Sequence, residues 1–174
     1  MSSEWRPDDS QLERTAEGPV RGVRRAQDAL KKHKIPYKDR VITSRDAGMA
    51  AVRRDLKRNT TLCGVQQWQI PILMNDELVW VEARHKPGAT IPAHSHNGWV
   101  LHIVISGAMR HKGRTLKPGD WILVPPGKSY SLTVVGPGEA RTCYVHQPTP
   151  LPGPGPVPRL KPSGPVPSPR PFSG

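Results

Sequence analysis

Between Leu62 and His146 no regular element can run for long, because proline and glycine interrupt the chain at Lys86-Pro87-Gly88, Lys117-Pro118-Gly119-Asp120, Pro125-Pro126-Gly127 and Gly136-Pro137-Gly138. Proline fixes φ and lacks a backbone donor, while glycine tolerates left-handed turns, so each cluster marks a chain reversal. Between them apolar side chains alternate with period two in Leu62–Leu73, Leu78–Arg84, Gly98–Ser106, Asp120–Val124, Ser129–Val135 and Ala140–His146. Asn75-Asp76-Glu77 suits a hairpin turn between the first two runs. About eight short strands punctuated in this way predict an antiparallel sandwich or small barrel.

The flanks read differently, which divides the 174 residues into a basic helical extension over 1–60, a β domain over 61–146 and a tail over 147–174. Val20–Lys34 places Val20, Val23, Ala26 and Leu30 on one face of a helix stopped by Pro36. Ser44–Lys57 predicts a second helix, with Ser44 as its cap, Asp46 in the first turn and Met49, Val52 and Leu56 inward. Of the 21 prolines, 11 fall in the last 28 residues, so the tail neither pairs as a strand nor buries a core. A disordered, partly polyproline-II segment is expected there. Spacings such as Pro162–Pro165 fit an SH3-type ligand, although composition alone generates such matches, and no partner of the tail is identified.

The net charge of +12 is spread as +6, +3 and +3 over these three regions. The basic residues of the helices lie opposite the apolar stripe, as on any solvated face, and no helix-turn-helix or zinc-finger pattern accompanies them. Nucleic-acid binding is therefore not expected. No apolar run approaches the ~20 residues of a membrane span, and the opening MSSEWRPDDS has no signal-like apolar stretch, so a cytoplasmic protein is expected. Two cysteines, Cys63 and Cys143, are too few for a disulfide scaffold.

The chemistry concentrates in Gly88 to Gly107, which holds His94, His96 and His102. On a strand, residues i and i+2 face the same way about 7 Å apart, so His94 and His96 present two imidazoles to one side. Such a pair suits iron, copper, zinc, nickel or manganese, with open positions for water or substrate.

The run Gly88-x5-His94-x-His96, Gly107 eleven residues later, and Gly119-x5-Pro125-x-Gly127 resemble the two signature motifs of the cupin superfamily in order and spacing. The resemblance covers roughly residues 65–146. The His-x-His-x-Gly-x-Val opening and the Pro-Pro-Gly turn look like the ChrR-type cupins, a group that includes dihydroxyacetophenone dioxygenase-like enzymes. It implies an all-β fold, a single antiparallel cupin barrel (double-stranded β-helix or jelly roll), here with an N-terminal helical extension and the Pro-rich tail. It also implies a metal held by the two histidines, a glutamate and a second-motif histidine. Val100 stands at the glutamate position and Tyr130 at the second histidine, so two of four ligands are replaced. His102, one layer deeper on the face of Val100, offers either a third ligand or a general base. Tyr130 offers either a phenolate ligand or a hydrogen bond to substrate.

Among the remaining residues, His85 reads as a structural histidine within reach of the barrel mouth, His111 as solvated, and His146 as of undetermined facing. Cys143 reads as a small core residue. Trp68, Trp80, Trp99 and Trp121 all lie in strands, where core packing is the default and an aromatic cavity wall the alternative. The combined expectation is a metal-dependent cupin enzyme acting on a small organic molecule. Non-haem Fe(II) oxygenation of an anionic enol, diketone or phenol leads; Zn, Cu, Ni or Mn are alternatives to iron. The rivals are an oxygen-independent lyase, isomerase or cyclase and a non-catalytic ligand-sensing module. A homodimer is implied by the resemblance.

Overall fold

The computed structural model describes residues 5–16, 18–39, 41–74 and 77–148. A short 3-10 turn at Ser10–Leu12 precedes helices α1 (Arg21–Lys32) and α2 (Met49–Asp55). Among the described residues ten strands follow: β1 (Lys57–Arg58), β2 (Val65–Ile70), β3 (Val79–His85), β4 (Thr90–His94), β5 (Val100–Ser106), β6 (Met109–His111), β7 (Arg114–Leu116), β8 (Trp121–Val124), β9 (Tyr130–Val134) and β10 (Ala140–His146). They form two antiparallel sheets, in the orders β1-β2-β3-β10-β5-β8 and β4-β9-β6-β7. From β3 onward the chain passes back and forth between the sheets, which is the jelly-roll path.

Alternation in the strands decides what faces inward. On β3, Val79, Val81, Ala83 and His85 are buried, while Trp80, Glu82 and Arg84 take the other face. Val100, His102 and Val104 of β5 and Thr142, Tyr144 and His146 of β10 continue the buried face across the register Tyr144↔His102 and His146↔Val100. Between the sheets Ile91, Val100, Met109, Val124, Leu132 and Val134 close one core. The opposite, outward face of the larger sheet leaves Trp121 61% and Leu123 51% exposed on its edge strand.

Helix α1 covers the β3 side of the larger sheet, where Val20 and Val23 pack on Val79, Val81, Ala83 and Tyr144. Gly22 permits the close approach: a Cβ there would meet Val79 Cγ2 at 2.7 Å, and Gln69 Nε2 donates to the Gly22 carbonyl at 2.6 Å. A third core joins Ala29, Leu30 and Ile35 to Met49, Val52 and Leu56. The chain leaves α1 through Lys34 in the left-handed region (φ 55°).

Helix α2 is shorter than Ser44–Lys57 because the backbone enters it through Gly48 at φ 87°, which no continuous right-handed helix allows. Upstream, Thr43 Oγ1 donates to Asp46 Oδ1 at 2.7 Å and accepts from Arg45 N, so this stretch is a side-chain-closed turn and Ser44 caps nothing. The hairpin β6–β7, absent from the strand runs read in the sequence, turns through Lys112 and Gly113, both at positive φ as a type I′ turn requires. The expected turn at Asn75-Asp76-Glu77 has its first two residues outside the described residues, although β2 and β3 do pair antiparallel. The Pro-rich tail beyond Pro148 also lies outside them. Among the described residues no helix is long and apolar enough to cross a membrane.

Leu30 is fully buried in the helical core, so Leu30→Ala is expected to cost about 2–5 kcal/mol, read as a lowered urea midpoint with an unchanged slope.

Candidate metal centre

Seven titratable rings converge between the sheets. The larger sheet supplies His85, His102, Tyr144 and His146; the smaller supplies His94 and Tyr130, register partners on β4 and β9. His96 joins them from the loop after β4. The two-residue spacing therefore does not place both motif histidines on one strand: β4 ends at His94. The loop is nevertheless pinned, since Gly127 N–H of the Pro-Pro-Gly turn donates to the His96 carbonyl at 2.8 Å and Gln147 N–H donates to the Trp99 carbonyl at 2.9 Å. The His94 and His96 rings meet edge to face with centroids 4.9 Å apart, and His96 and His146 do so at 4.7 Å. A cavity of about 340 Å³ opens onto these rings.

The hydrogen bonds orient the imidazoles. His94 Nδ1–H donates to the Pro92 carbonyl at 2.7 Å, which leaves its Nε2 as a lone pair. His96 Nδ1 lies 3.1 and 3.2 Å from the two carboxylate oxygens of Asp9. A carboxylate only accepts, so the proton sits on Nδ1 and Nε2 is again bare. Tyr130 Oη stands 3.3 Å from His96 Nε2 and 2.8 Å from His102 Nε2, so its O–H points to His96 and its oxygen accepts from His102. His102 Nδ1, His146 Nδ1 and His85 Nδ1 are buried without a hydrogen-bond partner.

Burial disfavours the charged form of His85, His94, His102 and His146. It pushes His102 down to about 3, helped by repulsion from His96, His85 and His94, and His85 down to about 4. His94 and His146 are lowered for the same first reason. Burial raises the Tyr130 phenol strongly and the Tyr144 phenol to about 12. Neutral imidazoles with bare nitrogens are the form that ligates a divalent cation, and the orphaned buried nitrogens find no other use here. Asp9, His96 and His146 offer ligand atoms that all lie within 4.8 Å of one another. The donor chemistry thus fits a metal ion.

The structure places the remaining histidines, tryptophans and Cys143, some other than expected. His146 faces inward, opposite Val100. His85 is structural as read, with Nε2 3.1 Å from Thr142 Oγ1, and it also lines the cavity. His111 is half-buried rather than solvated, its Nδ1–H donating to the Ser131 carbonyl at 2.9 Å across the smaller sheet. The strand tryptophans neither line this cavity nor fill the core: Trp99 and Trp121 are exposed, and Trp68 lies under the Arg53 guanidinium at 4.1 Å. Cys143 is half-buried on the outward face of β10. The tryptophan at the site is Trp5, whose ring meets His94 edge-on at 4.8 Å. Neither Trp5 nor Asp9 carries a signal in the sequence, because no periodicity links them to the barrel.

Residues 79–151 match the family model of the AraC-like ligand binding domain. Among solved structures the chain is similar to an RmlC-like cupin from Shewanella frigidimarina, with 22% identity, 49% of this chain and 77% of that one covered, and a TM-score of 0.43. It is also similar to the polyketide cyclase RemF from Streptomyces resistomycificus (22%, 55% and 75%, TM-score 0.46) and to KdgF from a Halomonas species (20%, 51% and 84%, TM-score 0.43). No curated protein matches the sequence.

Unfolding returns His85 from about 4 to its ordinary 6.5, so between these values the unfolded chain binds the extra proton. Stability is whole above about pH 6.5 and is expected to fall as the pH drops toward 4; urea midpoints across that window measure it, and His85→Leu flattens part of the slope. A Cβ on Gly98 would stand 2.0 Å from the Gln147 carbonyl oxygen. Gly98→Ala is therefore expected to destabilise by about 1–3 kcal/mol and to separate the His96 and His146 rings, visible as shifted ring resonances.

Proposed function

We propose that this cupin-type domain is a metal-dependent enzyme acting on a small anionic organic molecule, with His94 and His96 as metal ligands and His146 beside them. The observation that carries this reading is the shared orientation of the two motif imidazoles, each with Nδ1–H tied to an acceptor and Nε2 turned away from it, that of His96 facing Tyr130 Oη. A cavity of about 340 Å³ suits a metabolite-sized ligand. Arg6 and Arg58 line the same cavity and supply positive charge for a carboxylate, enolate or phenolate oxygen.

A divalent cation bound there supplies Lewis acidity toward a substrate oxygen and, as iron(II), the capacity to react with dioxygen. Tyr130 presents its hydroxyl proton to that oxygen once His96 Nε2 is engaged. His102 N–H, 2.8 Å from Tyr130 Oη, fixes the phenol and strengthens it as a donor. On this reading His102 acts through Tyr130. Trp5 and the apolar wall around Ile91 limit water in the cavity. Within this class we favour oxygen-dependent attack on an enol, diketone or phenol, in keeping with the ChrR-type likeness of the His-x-His-x-Gly-x-Val segment.

One observation favours a second reading, a ligand-sensing module: the match of residues 79–151 to a ligand-binding family model. Elemental analysis of purified protein is expected to find about one metal per chain, lost in His94→Ala and in His96→Ala. Oxygen uptake with a panel of enols, diketones and phenols then identifies the oxygenase; turnover without uptake identifies a lyase, isomerase or cyclase, and binding without turnover a sensor. Tyr130→Phe is expected to keep the metal and lower kcat about 10²-fold.

A further inference from the structure

The site's remaining wall comes from far outside the β domain. Asp9, 87 residues before His96, contacts the ring from a strap formed by residues 5–9. Three contacts beyond Asp9 hold the strap: Trp5 Nε1 donates to Thr61 Oγ1 at 3.2 Å, the Trp5 ring edges onto His94, and Arg58 donates to the Asp8 carbonyl at 2.9 Å. A second cavity of about 290 Å³ also lies against the strap, and both cavities are lined by Trp5, Arg6, Pro7, Asp9 and His94.

We propose that Asp9 is the positioning residue of His96. Its carboxylate holds the Nδ1–H and turns Nε2 toward the cation, so the metal affinity of the β domain depends on a segment that precedes it. Two oxygens at 3.1 and 3.2 Å from one ring nitrogen place Nδ1 between them, the arrangement of an N–H shared by a carboxylate. A carboxylate behind a ligating imidazole fixes its tautomer and raises its basicity, and it supplies here the negative charge that Val100 does not. The inference rests on the metal reading above, and its test separates the two.

Full-length wild type, Asp9→Asn and Asp9→Ala are titrated with cobalt(II) and followed by visible absorption, and the His96 ring of the metal-free proteins is assigned by ¹⁵N NMR. Asp9→Ala is expected to raise the cobalt Kd about 10–100-fold with the same absorption envelope at saturation. Asp9→Asn, which keeps a carbonyl acceptor, recovers part of that loss. In metal-free wild type the His96 proton sits on Nδ1, and in Asp9→Ala it redistributes between the two nitrogens. Unchanged affinity in Asp9→Ala overturns the proposal, as does an Nε2 proton on wild-type His96. An altered envelope also overturns it, because Asp9 would then be a ligand itself. If wild type binds no cobalt, the metal reading fails, and the NMR comparison still decides whether Asp9 orients His96.

Discussion

The arrangement depends on imidazoles being taken out of water between two sheets. A charged histidine buried there faces both desolvation and its neighbours' repulsion, which disfavours the charged forms of His94, His102 and His146, and each ring must find a partner for its N–H or leave a nitrogen orphaned. The Pro92 carbonyl and the Asp9 carboxylate meet that need for His94 and His96, and Tyr130 bridges His96 to His102. Val79 and Val81 in one core and Val100 and Leu132 in another are buried on the same two sheets.

Much of the frame was legible from local rules. Period-two alternation found β3, β5, β9 and β10 to within a residue or two, because each has one face in the core and one turned outward. The spacing of His94 and His96 pointed to two rings that do meet at the cavity even though the strand stops at the first, since the Gly127–His96 hydrogen bond ties down the loop that carries the second. The expected helix Ser44–Lys57, capped by Ser44 with Asp46 in its first turn, starts later because Thr43 and Asp46 close a turn there and Gly48 at φ 87° breaks the right-handed backbone.

Contacts between distant segments were not legible. The two faces of β10 both mix polar and apolar side chains, Thr142, Tyr144 and His146 against Arg141, Cys143 and Val145, so composition does not say which turns in. Packing against Val81 and His102 decides it. The Asp9–His96 contact follows from the path of residues 5–16 beside α1, for which a sequence offers no period to follow. Trp68 was misread for a related reason: its burial comes from guanidinium groups laid over the ring rather than from a core.

Arg58 gives the helical layer a bearing on the pocket that its distance conceals. It follows Leu56, the fully buried residue that ends α2, by two positions, and its guanidinium grips the backbone at Asp8. The third core is therefore the footing on which the pocket's outer wall stands. Slack introduced among Leu30, Val52 and Leu56 travels along β1 to the entrance, so the width of the doorway is set partly by side chains that never see what passes through it.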